Sequence, residues 1–232
     1  MIKVTSEEDI SVIIPVLNEK KIIDTAVDHI RSLPGGDDVE IVVVDGSPSS
    51  NTILSIKRED VIKIGSPKGR GIQMNVGSLV SSGGILVFLH ADTYLPESGL
   101  RDIKKTLSDK GVSGGAFTLD MYDFETILKK LLFVQNLRAR ITRVPYGDQV
   151  IFVRREDFFR IRGYSPIRLF EDVDLMKRMK REKMRIRILT EKVRSSGRRF
   201  NQEGPFRTLT RNHLIIALYN LGVNPDKLAE LY

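Results

Sequence analysis

Along the first half of the chain, short apolar runs alternate with segments whose apolar residues recur every three or four positions. Ile10 to Val16, Glu40 to Val44 and Ile85 to Leu89 are nearly continuous in aliphatic residues. Runs of this length predict strands covered on both faces, as in a parallel sheet. Val61 to Ile64 predicts a weaker strand of the same kind. Between these runs, Ile22, Ile23, Ala26, Val27 and Ile30 share one face of a helix. Asn18 is placed to cap its start and Leu33-Pro34-Gly35-Gly36 to end it. Lys68-Gly69-Arg70-Gly71 leads into a second helix through Val76 and Val80, and Leu100, Ile103 and Leu107 mark a third, with Pro96 placed to open it. Strand and helix in alternation specify a parallel sheet with right-handed crossovers.

The second half is mixed. Gly114 to Leu119, Gln149 to Arg154 and Arg185 to Leu189 read as strands. Phe124 to Ile141 and Phe170 to Lys183 read as helices, and Gly204 to Leu221 contains a last one. Glu171 and Asp172 fall in a helix first turn, where the dipole favours acids. No repeat or low-complexity linker separates the halves, so a single α/β domain is expected.

Composition narrows the class. With 232 residues, 41% hydrophobic and 29% charged, the chain is long enough to bury a proper core. Cysteine is absent, which removes disulfides and thiolate chemistry and fits a reducing compartment. The start, Met1 to Asp9, has no apolar core and does not read as a signal peptide. No apolar stretch approaches the length of a membrane span. A cytoplasmic protein is therefore expected. The net charge of +7 is uneven: Arg138 to Arg199 holds 19 Lys or Arg against 8 Asp or Glu. Such a basic half suits phosphate-bearing ligands, nucleic acid or an anionic membrane surface. Nucleic acid is not expected, because no recognised motif or aromatic-stacking pattern accompanies the charge. Peripheral membrane contact through the Ile127 to Val134 helix stays open.

The candidate chemistry lies where apolar runs stop. Val87-Phe88-Leu89 climbs to His90-Ala91-Asp92-Thr93, and ligands of open parallel sheets bind beyond such strand ends. Asp92 there either caps a turn or holds a metal. Asp45 similarly ends the second run, with an Asx turn at Gly46 as the alternative. Glu171, Asp172 and Asp174 are either solvated acids of a helix first turn or carry a base.

These stretches resemble glycosyltransferase family 2. Ser11-Val12-Ile13-Ile14-Pro15-Val16-Leu17-Asn18-Glu19 and Val42-Val43-Val44-Asp45-Gly46-Ser47 look like its opening, and Lys68-Gly69-Arg70-Gly71 with Asn75 and Gly77 like its third block. Phe88 to Asp92 sits where the family has an Asp-x-Asp metal motif, and Glu171-Asp172-Val173-Asp174-Leu175 looks like the block of the catalytic base. His90-Ala91-Asp92-Thr93, Gly147-Asp148-Gln149 and the tail from Arg207 look like a small soluble bacterial subgroup, the selenodomain-associated or arsenosugar-type transferases.

The resemblance implies a GT-A-like nucleotide-diphospho-sugar transferase fold, mostly parallel, with helices flanking the sheet. Residues 1–93 would form the nucleotide-binding half and 94–232 the acceptor-binding half. The implied activity is a metal-dependent, inverting sugar transfer from a nucleotide-diphosphate donor, UDP-linked, to an unknown acceptor hydroxyl. Asp92 would hold Mn²⁺ or Mg²⁺, with His90 in place of the family's first aspartate and able to ligate, to meet the ribose or to pack in the core. Asp45 would meet the uracil ring; Pro15 and Glu19 would lie by the base and ribose; Arg70 and Asn75 would reach the nucleotide. Asp172 would be the general base with Glu171 beside it. Arg198 and Arg199 would clamp the diphosphate. Gly147-Asp148-Gln149 would border the acceptor pocket. Two other readings remain: a transferase acting on a membrane lipid phosphate, and a non-catalytic nucleotide or polyanion binder. The oligomeric state is not readable.

Overall fold

The computed structural model of the chain describes residues 6–122, 129–196, 211, 214–219 and 221–231. Among them, eight strands join in one sheet: β1 (Ile10–Val16), β2 (Glu40–Asp45), β3 (Ile62–Gly65), β4 (Ile85–Phe88), β5 (Thr93–Tyr94), β6 (Val112–Tyr122), β7 (Ile151–Arg154) and β8 (Arg185–Ser196). Their order is β3-β2-β1-β4-β7-β6-β8-β5. The helices are α1 (Ile23–Ser32), α2 (Arg70–Val80), α3 (Gly99–Leu107), α4 (Lys129–Thr142), α5 (Arg155–Arg160), α6 (Glu171–Arg181) and α7 (Pro225–Leu228). Residues 214–219 are also helical.

The apolar runs form strands because both of their faces are covered. Ile10, Val12, Ile14 and Val16 of β1 pack with α1 and α3 on one side of the sheet. Ile13 packs on the other side with Val42 and Val44 of β2, Met74 of α2 and the apolar face of α6. β1 pairs in parallel with β2 and β4, and β2 with β3. Pro15 interrupts no rung toward β4, because that ladder ends at Ile13↔Phe88, short of Pro15.

α2 lies close across β1 and β2 through Gly77. A Cβ there would stand 2.5 Å from Ile13 Cγ2 and 3.0 Å from Val44 Cγ2, both on fully buried side chains. Alanine at this position gains about 1 kcal/mol in helix propensity. Overpacking against two stiff β-branched residues costs about 1–3 kcal/mol. Gly77→Ala is therefore expected to lower the unfolding free energy by about 1 kcal/mol, read from the denaturant midpoint at unchanged m-value. A midpoint equal to or above wild type would show that α2 can lift away from the sheet.

Several sequence expectations are corrected. Asn18 does not cap α1: its φ is 62°, the helix starts at Ile23, and the cap position, Ile22, makes no side-chain cap bond. Instead Asn18 Oδ1 accepts from Asn51 Nδ2 at 2.6 Å, tying the β1 loop to the β2 loop. Pro96 does not open α3, which starts at Gly99. β6 and β8 run well past the predicted ends, and β5 is a strand the pattern does not reveal. The crossovers are parallel only as far as β4: β7 pairs antiparallel with both β4 and β6, although β6 and β8 run parallel. Of the predicted helix Phe124 to Ile141, residues 124–128 lie outside the described residues, as do most of Gly204 to Leu221.

Part of the basic excess binds the chain's own carbonyls. Arg154 Nε donates to Val112 O at 2.8 Å, and the Arg178 guanidinium donates to Ile161 O and Gly163 O at 2.6 Å each.

Candidate active site

Beyond the carboxyl ends of β1 and β2, the two loops are knitted into one surface. Asp45 is fully buried, and its carboxylate accepts the N–H of Ser47 at 2.8 Å, Thr52 at 2.9 Å and Ile53 at 3.3 Å. The Ser47 bond is an Asx turn of the kind the sequence offered as the alternative at this position. Thr52 Oγ1 in turn accepts from the Glu19 N–H at 3.0 Å. The Glu19 carbonyl accepts from Ile22 and Ile23 and starts α1. From below, the buried Gln73 of α2 donates to Val16 O and Val44 O, 2.8 Å each, clipping the ends of β1 and β2 together. Nothing in the sequence distinguishes Gln73 from a solvated helix residue.

Asn75 is also structural. Its side-chain amide donates to Tyr164 O and accepts from Tyr164 N–H, both at 2.8 Å. This two-way clamp uses one N–H and one lone pair of the amide and ties the start of α2 to Tyr164. Asp174, the third candidate acid, accepts from Ser165 Oγ at 2.6 Å and pairs with Arg178 at 2.8 Å within α6.

The remaining candidates meet where α2 and α6 begin. Gly69, with φ 146°, turns the chain into α2, and Gly71 lets the helix start approach α6 closely. A Cβ on Gly71 would lie 3.0 Å from Ser165 O and 3.3 Å from Glu171 Cβ. Arg70 Nη1 reaches Glu171 Oε1 at 3.4 Å while half of the Arg70 side chain stays exposed. Two helix N-termini then face the same region, a setting that favours anions.

Asp172 is held from two sides. Its Oδ2 accepts the Gly147 N–H at 2.5 Å, and its Oδ1 accepts the Val173 N–H at 2.7 Å. Gly147 opens the 3₁₀ turn Gly147–Gln149, and a Cβ on it would lie 3.2 Å from His90 Nε2 and 3.3 Å from Asp172 Oδ2. The imidazole and the carboxylate therefore flank one glycine, and glycine is the residue that leaves room between them. Strain borders both elements: Phe170, just before Glu171, has φ 65°, and the buried Val150, just after the turn, has φ 53°. Non-glycine residues in this region cost of order 1–3 kcal/mol each and persist where the surroundings impose them.

Asp92 sits in the same turn as His90, closed by the Thr93 N–H to His90 O bond of 3.0 Å. Its carbonyl accepts from Ser196 N–H at 3.2 Å and Tyr122 Oη–H at 3.4 Å. Among the described residues no hydrogen bond or ion pair engages its carboxylate. Nor do three or more His, Cys, Asp or Glu side chains converge there as a ready metal cage. One carboxylate with one imidazole fits a cation that takes its other ligands from phosphate oxygens and water. Burial, and then the Arg70 charge, lower the His90 pKa to about 3, so the ring is neutral with a lone pair to offer. Arg198 and Arg199 lie outside the described residues.

Burial, and then the neighbouring Asp172 charge, push the Glu171 carboxyl from 4.5 up to about 7. The folded chain thus holds a proton that the unfolded chain releases, and Glu171 costs stability increasingly as pH rises across that interval. Glu171→Gln is expected to stabilise the protein by on the order of 3 kcal/mol at pH 8 and by almost nothing at pH 4. The long, half-exposed Arg70 contact that it loses is worth little. Thermal unfolding at the two pH values checks this; equal shifts at both would place the Glu171 carboxyl near its ordinary range.

A mostly parallel sheet carrying two helix N-termini, an aspartate whose carboxylate has no partner among the described residues and a backbone-oriented aspartate at its carboxyl edge defines a GT-A-type nucleotide-sugar transferase architecture. The family model described as glycosyl transferase family 2 matches residues 11–171, and the chain belongs to that family. No curated protein sequence matches the chain. Among solved structures it is similar to the mannosyltransferase PcManGT from Pyrobaculum calidifontis in complex with GDP-Man and Mn²⁺, at TM-score 0.70 and 19% identity over 96% of this chain and 68% of that one. It is similar to glucosyl-3-phosphoglycerate synthase from Mycobacterium tuberculosis in complex with Mn²⁺, UDP and glucosyl-3-phosphoglycerate, at TM-score 0.66 and 18% identity over 93% and 80%. It also resembles S. aureus TarS 1-349 in complex with UDP-GlcNAc, at TM-score 0.60 and 19% identity, spanning 81% of this chain and 58% of that one.

Proposed function

We propose that this chain moves a sugar from a nucleotide-diphosphate donor to an acceptor hydroxyl with inversion at the anomeric carbon. The observation that carries this reading is the Asp172 carboxylate, fixed by the Gly147 N–H beside the turn that bears His90 and Asp92. The donor lies across the strand ends, its nucleoside against the loops after β1 and β2, near Pro15 and Glu19. Asp45 acts by shaping that loop from beneath. The diphosphate faces Arg70 and the start of α2. Asp92 would hold a divalent cation, with His90 as the second candidate ligand; when bound, the cation offsets the charge that grows on the leaving diphosphate.

Asp172 takes the acceptor proton. The acceptor oxygen bonds to the anomeric carbon as the bond to the diphosphate oxygen breaks, and the proton ends on the Asp172 carboxylate. Glu171 sits beside Asp172 at the start of α6, with Arg70 at the start of α2 within 3.4 Å of it. Arg198 and Arg199 remain proposed diphosphate contacts. A UDP-linked donor and membership of the selenodomain-associated or arsenosugar-type subgroup are part of the same proposal, resting on the sequence blocks.

A panel of nucleotide sugars tests it, by thermal shift in Mn²⁺ and by release of sugar. A true donor present at about 100 times its dissociation constant adds about 2.7 kcal/mol of stability. Binding of nucleotides with no sugar release or transfer would instead make the chain a nucleotide binder. One observation favours a lipid-linked acceptor: α4 exposes Phe133, Leu137 and Ile141 on a stripe every four residues, with Val134 beside it. Flotation with anionic liposomes separates that case. Among the described residues no helix is long and apolar enough to cross a membrane.

A further inference from the structure

The proposed reaction leaves one cluster without a task. Arg138 of α4 lays its guanidinium over the Tyr146 ring, 3.9 Å from the centroid. Its Nε and Nη2 are buried and have no hydrogen-bond partner among the described residues. These two nitrogens share one edge of the guanidinium, the edge that meets both oxygens of a carboxylate or phosphate at once. The close approach to the tyrosine ring helps hold the guanidinium in place before any ligand arrives.

Asp148, in the turn beside Gly147, presents the complementary gap. Among the described residues its Oδ1 is buried and also unpartnered, and its Oδ2 has only a long 3.5 Å contact from Gln135 Nε2. Arg138 and Asp148 do not bond to each other, although they are close enough for the guanidinium charge to act on the carboxyl. Burial, and then the charge of Asp172, push the Asp148 carboxyl up to about 7. A carboxyl in that state can accept from a hydroxyl or donate to one. Buried polar groups are normally bonded, and leaving three such atoms empty is costly. A ligand that supplies both an anion and a hydroxyl satisfies all three.

We propose that Arg138, Tyr146 and Asp148 form a subsite for a hydroxylated acceptor that carries a carboxylate or phosphate. The Arg138 edge grips the anion, and Asp148 orients a hydroxyl toward the neighbouring Asp172. The inference rests on the transferase reading for its purpose, and on unpartnered buried atoms for its chemistry.

Calorimetric titration of the full chain with glycerate, glycerol 3-phosphate and glycerol tests it. The two anions should bind and glycerol should not. Arg138→Met should weaken both anions by about 10–100-fold, and Arg138→Lys, which keeps the charge without the two-nitrogen edge, should restore only part. Asp148→Asn should weaken binding while preserving the preference for anions. The Lys and Asn variants retain volume, so a failure of Arg138→Met to fold leaves the test intact. Phosphatidylglycerol vesicles form a separate arm: vesicle binding lost in Arg138→Met with no response to the soluble anions assigns the subsite to a lipid headgroup. Glycerol binding as tightly as the anions, or full affinity in both Arg138 variants, overturns the proposal. So does displacement of the anions by UDP, which would give the edge to the donor diphosphate. UDP with Mn²⁺ is titrated separately: its failure beside intact anion binding defeats the transferase reading alone, and the reverse defeats only the subsite.

Discussion

Asp172→Asn is expected to lower the rate of sugar transfer by about 10²–10⁴-fold, the usual worth of a positioned general base. Nucleotide affinity should change by less than about threefold, because the residue faces the acceptor side of the proposed reaction. The substitution is close to isosteric. The asparagine carbonyl can still accept the Gly147 N–H that the carboxylate now accepts at 2.5 Å. What it cannot do is carry away the acceptor proton. The expected pattern is therefore a collapse of turnover with donor binding retained, read from steady-state transfer and from calorimetry. Wild-type turnover in this variant would remove Asp172 as the base. Equal losses in turnover and donor affinity would make it a structural residue of the α6 start.

Asp92→Ala is the second large effect. The residue is held in the fold by its backbone, through the Ser196 N–H and the Tyr122 hydroxyl on its carbonyl. Alanine keeps both bonds, so the local fold should survive while the carboxylate disappears. Outer-shell partners of a metal site are already worth 10–100-fold in affinity, and a direct ligand should exceed about 100-fold. Nucleotide affinity in Mn²⁺ should fall to its metal-free value, with no change in metal-free binding. Identical Mn²⁺-dependent titrations of the variant and the wild type would sink the metal assignment.

The parts of the fold legible in the sequence are those whose burial leaves a pattern. β1, β2 and β4 are covered on both faces and read as nearly continuous apolar runs. α6 reads from Val173, Leu175, Met176 and Met179 on one side and its acids in the first turn. β8 reads only as far as Leu189: Arg185 to Ile188 alternates polar and apolar positions, whereas Thr190 to Ser196 is polar but for Val193 and carries no such signal. The antiparallel setting of β7 is invisible for a different reason: a four-residue apolar run carries no information about direction.

At the site, sequence reading found the strand-end and helix-start acids but not what each one faces. Asp45, Asp92 and Asp172 each stand at the start of a turn or helix, and any of them could bond its own backbone. Only Asp92 keeps its carboxylate out of such bonds among the described residues, whereas Asp45 gives its own to three backbone amides. Asn75 and Gln73 hold remote backbone, a role that depends on tertiary contacts. The unfilled atoms of Arg138 and Asp148 are likewise a property of packing.

The pairing of β5 with β8 has a consequence for the order in which this protein acquires its site. Thr93 Oγ1 bonds Ser195 Oγ across 102 positions of chain, and the Asp92 carbonyl is fastened to Ser196 in the same step. Loops of that span close late, because their entropy must be overcome before their contacts form. The loops after β1 and β2 close over a shorter span, 33 positions in the Glu19–Thr52 bond. A growing or refolding chain is thus expected to build the loops proposed to face the nucleoside first. It gains a fixed Asp92 only after β8 has docked, so on the proposed reading a half-made chain would lack its cation site.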